Sequence, residues 1–468
     1  MLTILCSPTY QPEREYICQA LLKKFLGLDY ILQFQERCCW RIAADDNSEL
    51  ILPDILFQTP QKKWLSPESL SAQPLASLDV QTLGLDCPLV DQKIPIIFGG
   101  LDASLELHRL QGRQDAKSFY LPIDIFGSSF FMLSRYEEVV IKERDEHGRF
   151  PAWASLALQE GFLDRPIVNE YLEILWAAMK KLWPGLVRKE RFFQMKVTCD
   201  VDHVYQESLK KPFRHLKTIG GDLIRRKNPF LAVKSTVNFF AAKVGNYSFD
   251  PNLSAIDWIM EVNEKAGNRM TFFVKAGCTN RQYDSSYSLY EPVVRKLLRR
   301  IHKRGHSIGL HPSYNTYCDR EQLTAEATSL RRVLEQENIV QDKLGSRQHY
   351  LRWDAAQTPV ILEQACIDYD TTLSFADHSG FRCGVCYEFP LYNLKQRRVL
   401  KVQERPLVVM ECSLLSKNYM NIKKQDFIQY FEMYNQEVRL FDGEIVFLWH
   451  NSFFNATSYY RVYADLIS

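Results

Sequence analysis

Apolar positions along the 468-residue chain follow two rhythms, with the change near residue 190. In the first stretch, a short apolar run at 2–7 predicts a strand, and Tyr16, Ala20, Leu21 and Phe25 fall at helical spacing within 13–26. Residues 45–95 are rich in Asp, Pro, Ser and Gln and read as loops with short strands such as 49–52. The run 94–100 is stopped by two glycines, a strand and turn. Residues 124–138 predict a mostly buried helix ending in Arg135, Glu137 and Glu138, read as a helix-end ion pair with a functional role as the alternative. A helix over 167–182 then meets Trp183-Pro184-Gly185, a breaker.

From about 190, apolar strands alternate with amphipathic helices. Strands are predicted at 195–199, 270–274, 307–310, 349–353, 407–410 and 445–449; helices at 254–266, 290–303, 322–337, 359–365 and 424–437. Such interleaving argues for a parallel sheet, open or closed, and about 280 residues suit a barrel with long loops. The stretch 205–249 is helical and breaks the alternation, so it reads as an insertion after the first strand. The expected architecture is α/β: a mixed α/β N-terminal domain over 1–185, then a (β/α) barrel over 190–468.

Composition narrows the class. With 46% apolar residues the chain is globular, and 58 basic against 56 acidic side chains exclude a nucleic-acid-type electrostatic footprint. The one basic stretch, Lys210-Lys211-Pro212-Phe213-Arg214 through Arg225-Arg226-Lys227, reads as a solvated helix face or loop; an acidic-ligand or membrane-surface patch is the alternative. The N-terminus lacks a basic lead-in, and no apolar run reaches about 18 residues, so neither a secretory signal nor a membrane span is expected. The 12 cysteines read as reduced thiols and the compartment as cytoplasmic. Cys383 and Cys386 have CxxC spacing without a second pair, and read as structural.

Polar residues cluster where strands end. The first strand runs into Asp200-Val201-Asp202-His203, the third into Leu310-His311-Pro312, and the last into Trp449-His450-Asn451; Arg347 and His349 lie in a fourth region. In a parallel barrel these ends share one face, so two carboxylates and several imidazoles there suit a divalent-metal hydrolytic site.

Taken in order, these segments resemble the NodB-type polysaccharide deacetylases over about 195–455. Thr198-Cys199-Asp200-Val201-Asp202 is similar to the first motif, Met270-Thr271-Phe272-Phe273-Val274 to the second strand, and Gly305-His306-Ser307-Ile308-Gly309-Leu310-His311 to the histidine segment. Arg347 stands at the third-motif arginine, and Leu448-Trp449-His450 resembles the terminal Leu-His motif. The resemblance is to bacterial members with an additional N-terminal domain. It implies a distorted (β/α) barrel and metal-dependent removal of an acetyl group from an N-acetylated sugar or polysaccharide precursor. Asp200 would be the base, Arg347 its partner, His450 the acid, and Asp202 and His311 ligands of a divalent metal, zinc by expectation. The implied partner is a carbohydrate substrate. A catalytically degenerate carbohydrate-binding protein and a glycosyltransferase using the Asp200-Val201-Asp202 triplet are the alternatives.

One departure matters. The family's second histidine ligand belongs four residues after His311, where this chain has Asn315. His349 could supply the imidazole from another strand, Asn315 with water could hold a harder metal, or the site could hold none; the first is the reading adopted. His306 reads as structural, His203 as lining the cleft, and Tyr350 or Trp449 as a cleft wall or core. Arg382 reads as either a substrate contact or an ion pair.

Overall fold

The computed structural model describes residues 1–100, 118–210, 212–224, 229–284, 287–454 and 457–467. In the N-terminal half, β1 (Leu2–Cys6) and β2 (Tyr30–Phe34) pair in parallel. The sheet continues through β3 (Cys39–Ala43), β4 (Glu49–Pro53) and, across a β5–β6 ribbon (Ala76–Asp79, Lys93–Ile96), β7 (Ser118–Tyr120) in the order β2-β1-β3-β4-β7. The first helix, Gln11–Cys18, widens into a π-helical turn over Gln19–Phe25 and buries Tyr16, Ala20, Leu21 and Phe25, the predicted stripe. The helix Ile167–Leu182 stands where the periodicity places it.

The run 124–138 is not one helix. It breaks into Ile125–Leu133 and Tyr136–Val140 because Arg135 takes a left-handed φ of 53°. The charge cluster is the expected ion pair, and it is buried: Arg135 pairs with Glu137 at 2.9 Å and with Glu138 at 2.8 Å. Arg382, from the C-terminal half, closes on the same Glu138 at 2.7 Å. That pair settles Arg382 as an ion-pair residue.

The C-terminal half is a distorted, incompletely closed (β/α) barrel. Its strands are β8 (Gln194–Val201), β9 (Thr271–Val274), β10 (Ser307–Leu310), β11 (Gly345–Ser346), β12 (Tyr369–Asp370), β13 (Phe389–Asn393), β14 (Arg398–Glu404), β15 (Leu407–Met410) and β16 (Glu444–Leu448). They form one nine-stranded sheet, β13-β14-β12-β11-β10-β9-β8-β16-β15, parallel except for β13 on β14. Among the described residues β15 and β13 do not pair, so the curl stays open. Three strands, β12 to β14, escape the apolar-run reading: β12 is two residues long, and β14 alternates exposed and buried positions.

A second correction concerns 349–353, expected as a strand. The strand there is only Gly345–Ser346, and the chain then turns through His349–Leu351 with Tyr350 and Leu351 both left-handed, at φ 61° and 53°. Each such non-glycine residue costs on the order of 1–3 kcal/mol, a strain found where surrounding contacts over-determine the backbone. The parallel strands all end on one face. Inside, a Cβ on Gly309 would collide with the Phe273 ring, so glycine there is what lets that ring fill the barrel. One hydrophobic core runs from Leu2 to Ile467 through both halves.

Candidate metal centre and catalytic cleft

Strand β8 carries Asp200 inward and then releases Asp202 into a cleft at the barrel's C-terminal face, which His311, His349 and His450 also line. Tyr287 ties the ends of β8 and β9: its hydroxyl donates to the Val201 carbonyl at 2.8 Å and accepts from the Lys275 amide at 2.7 Å.

Three donor atoms converge. Asp202 Oδ1 lies 3.4 Å from His311 Nε2 and 3.4 Å from His349 Nε2, and all three groups' ligand atoms fall within 4.8 Å of one another. Tetrahedral zinc with bonds of about 2.0–2.2 Å needs ligand-to-ligand separations of roughly 3.3–3.6 Å. Both imidazoles are oriented from behind: His311 Nδ1 donates to the Arg347 carbonyl at 2.6 Å, and His349 Nδ1 to Asp284 Oδ1 at 2.9 Å. Each Nε2 is thereby left as a bare lone pair, the tautomer a metal requires. Asp202 Oδ1 and His311 Nε2 are buried with no hydrogen-bond partner. Burial and the Lys275 ammonium push His349 down to about 4, so it is neutral. Burial opposes the Asp202 anion, but the positive charge around it, Lys275 and His450 included, outweighs burial and holds the carboxyl well below its usual range. The residues present fit a divalent cation.

Two groups flank this triad. Arg347, fully buried, donates Nη1 to Asp200 Oδ1 at 3.0 Å and to Thr198 Oγ1 at 2.7 Å, and its other N–H groups go to Thr371 at 3.0 Å. Asp200 Oδ2 is left 3.8 Å from His311 Nε2. On the other flank, His450 Nδ1 contacts Glu411 Oε1 at 2.5 Å, and its Nε2 stands 3.8 Å from Asp202 Oδ2. Burial disfavours imidazolium, yet the Glu411 carboxylate and Cys412 raise His450 well above its ordinary value.

Asn315 takes no part: its Oδ1 accepts from Arg352 Nη1 at 3.0 Å. His306 stands apart against Glu264 at 3.1 Å, and Trp449 is wholly buried among Phe427, Phe447 and Tyr463. His203 and Tyr350 line the cleft. Cys383 and Cys386 are buried, their thiols pushed up by burial.

Several residues of the site carry no motif. Asp284 also accepts from the Thr279, Asn280 and Tyr314 amides at 2.9 Å each. Lys275 is buried 3.5 Å from Asp284 and 3.8 Å from Asp202. The only signal for Lys275 and Glu411 is position, each one residue beyond a strand. Arg149, from the N-terminal half, reaches the cleft and donates to the Tyr350 carbonyl at 2.9 Å. In return Arg352 donates to the His147 carbonyl at 2.7 Å. The left-handed turn that presents His349 is thus clamped to the N-terminal half by two bonds of opposite sense.

Residues 2–184 match a family described as of unknown function, DUF7033. No curated protein matches the chain in sequence. Among solved structures, a protein described as a polysaccharide deacetylase from Mycobacterium smegmatis is 16% identical, with 60% of this chain and 85% of that one covered at a TM-score of 0.36. Puue allantoinase is 12% identical, covering 61% and 85% at 0.35. The chitin deacetylase of the fungus Colletotrichum lindemuthianum is 13% identical, covering 45% and 75% at 0.24.

Proposed function

We propose that the chain is a metal-dependent hydrolase of carbon–nitrogen bonds that removes an acetyl group from an N-acetylated sugar or polysaccharide precursor. The observation that carries this reading is the convergence of Asp202, His311 and His349 between an arginine-held carboxylate and a carboxylate-held imidazole. A divalent metal held by that triad, zinc by its donor set, would lower the pKa of water towards about 7 and polarise the acetyl carbonyl.

The chain's own residues supply the remainder. Arg347 fixes Oδ1 of Asp200 and leaves Oδ2 facing the triad, placed to take a proton from the attacking water. His450, kept protonated by Glu411, directs Nε2 into the same space and donates its proton to the departing amine as the carbon–nitrogen bond breaks. The order of motifs along 195–455 supports the same chemistry. In this reading residues 190–468 carry the reaction, and residues 1–185 support the cleft through Arg149.

The test is acetate release from N-acetylglucosamine oligomers and from nucleotide- or lipid-linked N-acetyl sugars. Release that Asp200→Asn abolishes supports the proposal. Glycan binding without acetate release in any metal form overturns it in favour of a binding protein; transfer from a nucleotide sugar overturns it in favour of a glycosyltransferase.

A further inference from the structure

The helical stretch after β8 presents apolar side chains to solvent. Helices Pro212–Ile224 and Pro229–Lys243 pack on each other, with His215 stacked on Phe239 at 4.7 Å and bonded to the Ser235 carbonyl at 2.9 Å. Their outer face is the unusual one. Phe230, Val233, Val237, Phe240 and Val244 recur at helical spacing and are all exposed, Phe230 by 76% and Phe240 by 66%. The first helix adds Phe213, Leu216 and Ile224, with Phe213 84% exposed. Of the 19 large apolar side chains exposed among the described residues, 8 fall within 213–244. Single exposed apolar residues need no explanation, but a stripe of this kind marks an interaction surface.

Charge identifies the occupant. Residues 210–243 hold 9 basic side chains and one acidic, Asp222, whereas the rest of the chain holds 49 basic (58 less 9) against 55 acidic (56 less 1). Lys217, Lys234 and Lys243 are exposed beside the apolar stripe; Lys211 and Arg225 to Lys227 lie outside the described residues. A protein interface buried by a second copy would set this cluster of basic charge against itself. Aromatic and aliphatic residues rimmed by lysine instead match a helix lying in the interface of an anionic bilayer. No helix among the described residues is long and apolar enough to cross one.

We infer that this helical hairpin docks the protein on an anionic membrane surface and so presents the cleft to a membrane-tethered substrate. The hairpin leaves the barrel from the loop that carries Asp202, and its stems are tied to the barrel end. Tyr205 packs on Tyr247 at 5.0 Å, and the Gln206 amide bonds to Asp250 at 2.9 Å. The hairpin is thereby rooted at the end of the barrel where the cleft opens. Docking itself is independent of the proposed chemistry; only the substrate's tether rests on it.

The experiment is vesicle flotation of the full chain, which reads binding without activity. Binding is expected to phosphatidylcholine vesicles carrying phosphatidylglycerol, to fall with added salt, and to be absent from pure phosphatidylcholine. Phe230→Ser with Phe240→Ser, and separately Lys217→Glu with Lys234→Glu, should each weaken binding at least about tenfold. The charge pair leaves the apolar surface in place and serves if the first pair misfolds. No binding to anionic vesicles overturns the inference, as does a concentration-dependent dimer that the Phe230→Ser, Phe240→Ser pair dissolves. Acetate release from a soluble substrate should be unchanged in the charge-reversed variant, so loss of docking is read apart from any failure of the proposed reaction.

Discussion

Asp284 accepts the Nδ1 proton of His349 at 2.9 Å, although 65 positions separate the two residues. That bond fixes the imidazole's tautomer and turns Nε2 towards Asp202. Replacing Asp284 by Asn weakens the orienting bond and removes the charge behind the ring. Divalent-metal affinity should fall roughly 10–100-fold, as read by competition with a chromophoric chelator. Unchanged affinity would remove Asp284 from the centre.

The clamp across the two halves makes a separate prediction. Arg149→Ala frees the Tyr350 carbonyl beside His349 and should weaken metal binding by about tenfold. Arg188→Ala, which breaks the Glu173 pair on another part of the N-terminal half, should leave metal affinity unchanged. Equal effects of both substitutions would reduce Arg149 to general stability.

Metal binding should also appear in thermal unfolding. A ligand at 100 times its Kd stabilises the native state by about 2.7 kcal/mol, so zinc added to chelator-stripped protein should raise Tm. Asp202→Ala and His349→Ala should each abolish that rise. A zinc-dependent shift surviving in both would place the ion elsewhere.

Glu138 holds the halves together from inside. Burial raises its pKa, but Arg382 and Arg135 overcome this and bring the carboxyl down to about 2. Glu138→Gln leaves two buried guanidinium groups short of their counter-charge, and should cost roughly 3–5 kcal/mol in urea unfolding. A loss below about 1 kcal/mol would mean that the arginines find other partners.

Glu437 gives stability a pH dependence of the opposite kind. Burial, with Asp164 and Glu170 nearby, raises its carboxyl to about 8 in the folded chain from an ordinary 4.5. Between these values the native state binds a proton that the unfolded state has lost, so this contribution is fully present below pH 4.5 and is lost as pH rises through about 8. Comparing urea midpoints at mildly acidic and alkaline pH, Glu437→Gln should remove that component. An identical pH profile in variant and wild type would assign it to other groups.

What the sequence determined by itself is what local order encodes. The apolar runs place β1, β8, β9, β10, β15 and β16, the helical spacing places Ile167–Leu182, and Asp200, Asp202, His311 and His450 follow from their positions at strand ends. What only the tertiary structure decided depends on distant contacts or on backbone conformations that side-chain pattern does not encode. A run such as His349 to Trp353 reads as a strand until Tyr350 and Leu351 turn left-handed under the hold of Arg149, a residue some 200 positions away. Asp284 has no motif, because a carboxylate behind a histidine needs only proximity and not spacing. The hairpin shows the limit most clearly. Periodicity reveals an apolar stripe at Phe230, Val233, Val237 and Phe240, but the same stripe serves a core or a membrane. Only the surrounding fold shows that none of the described residues covers it.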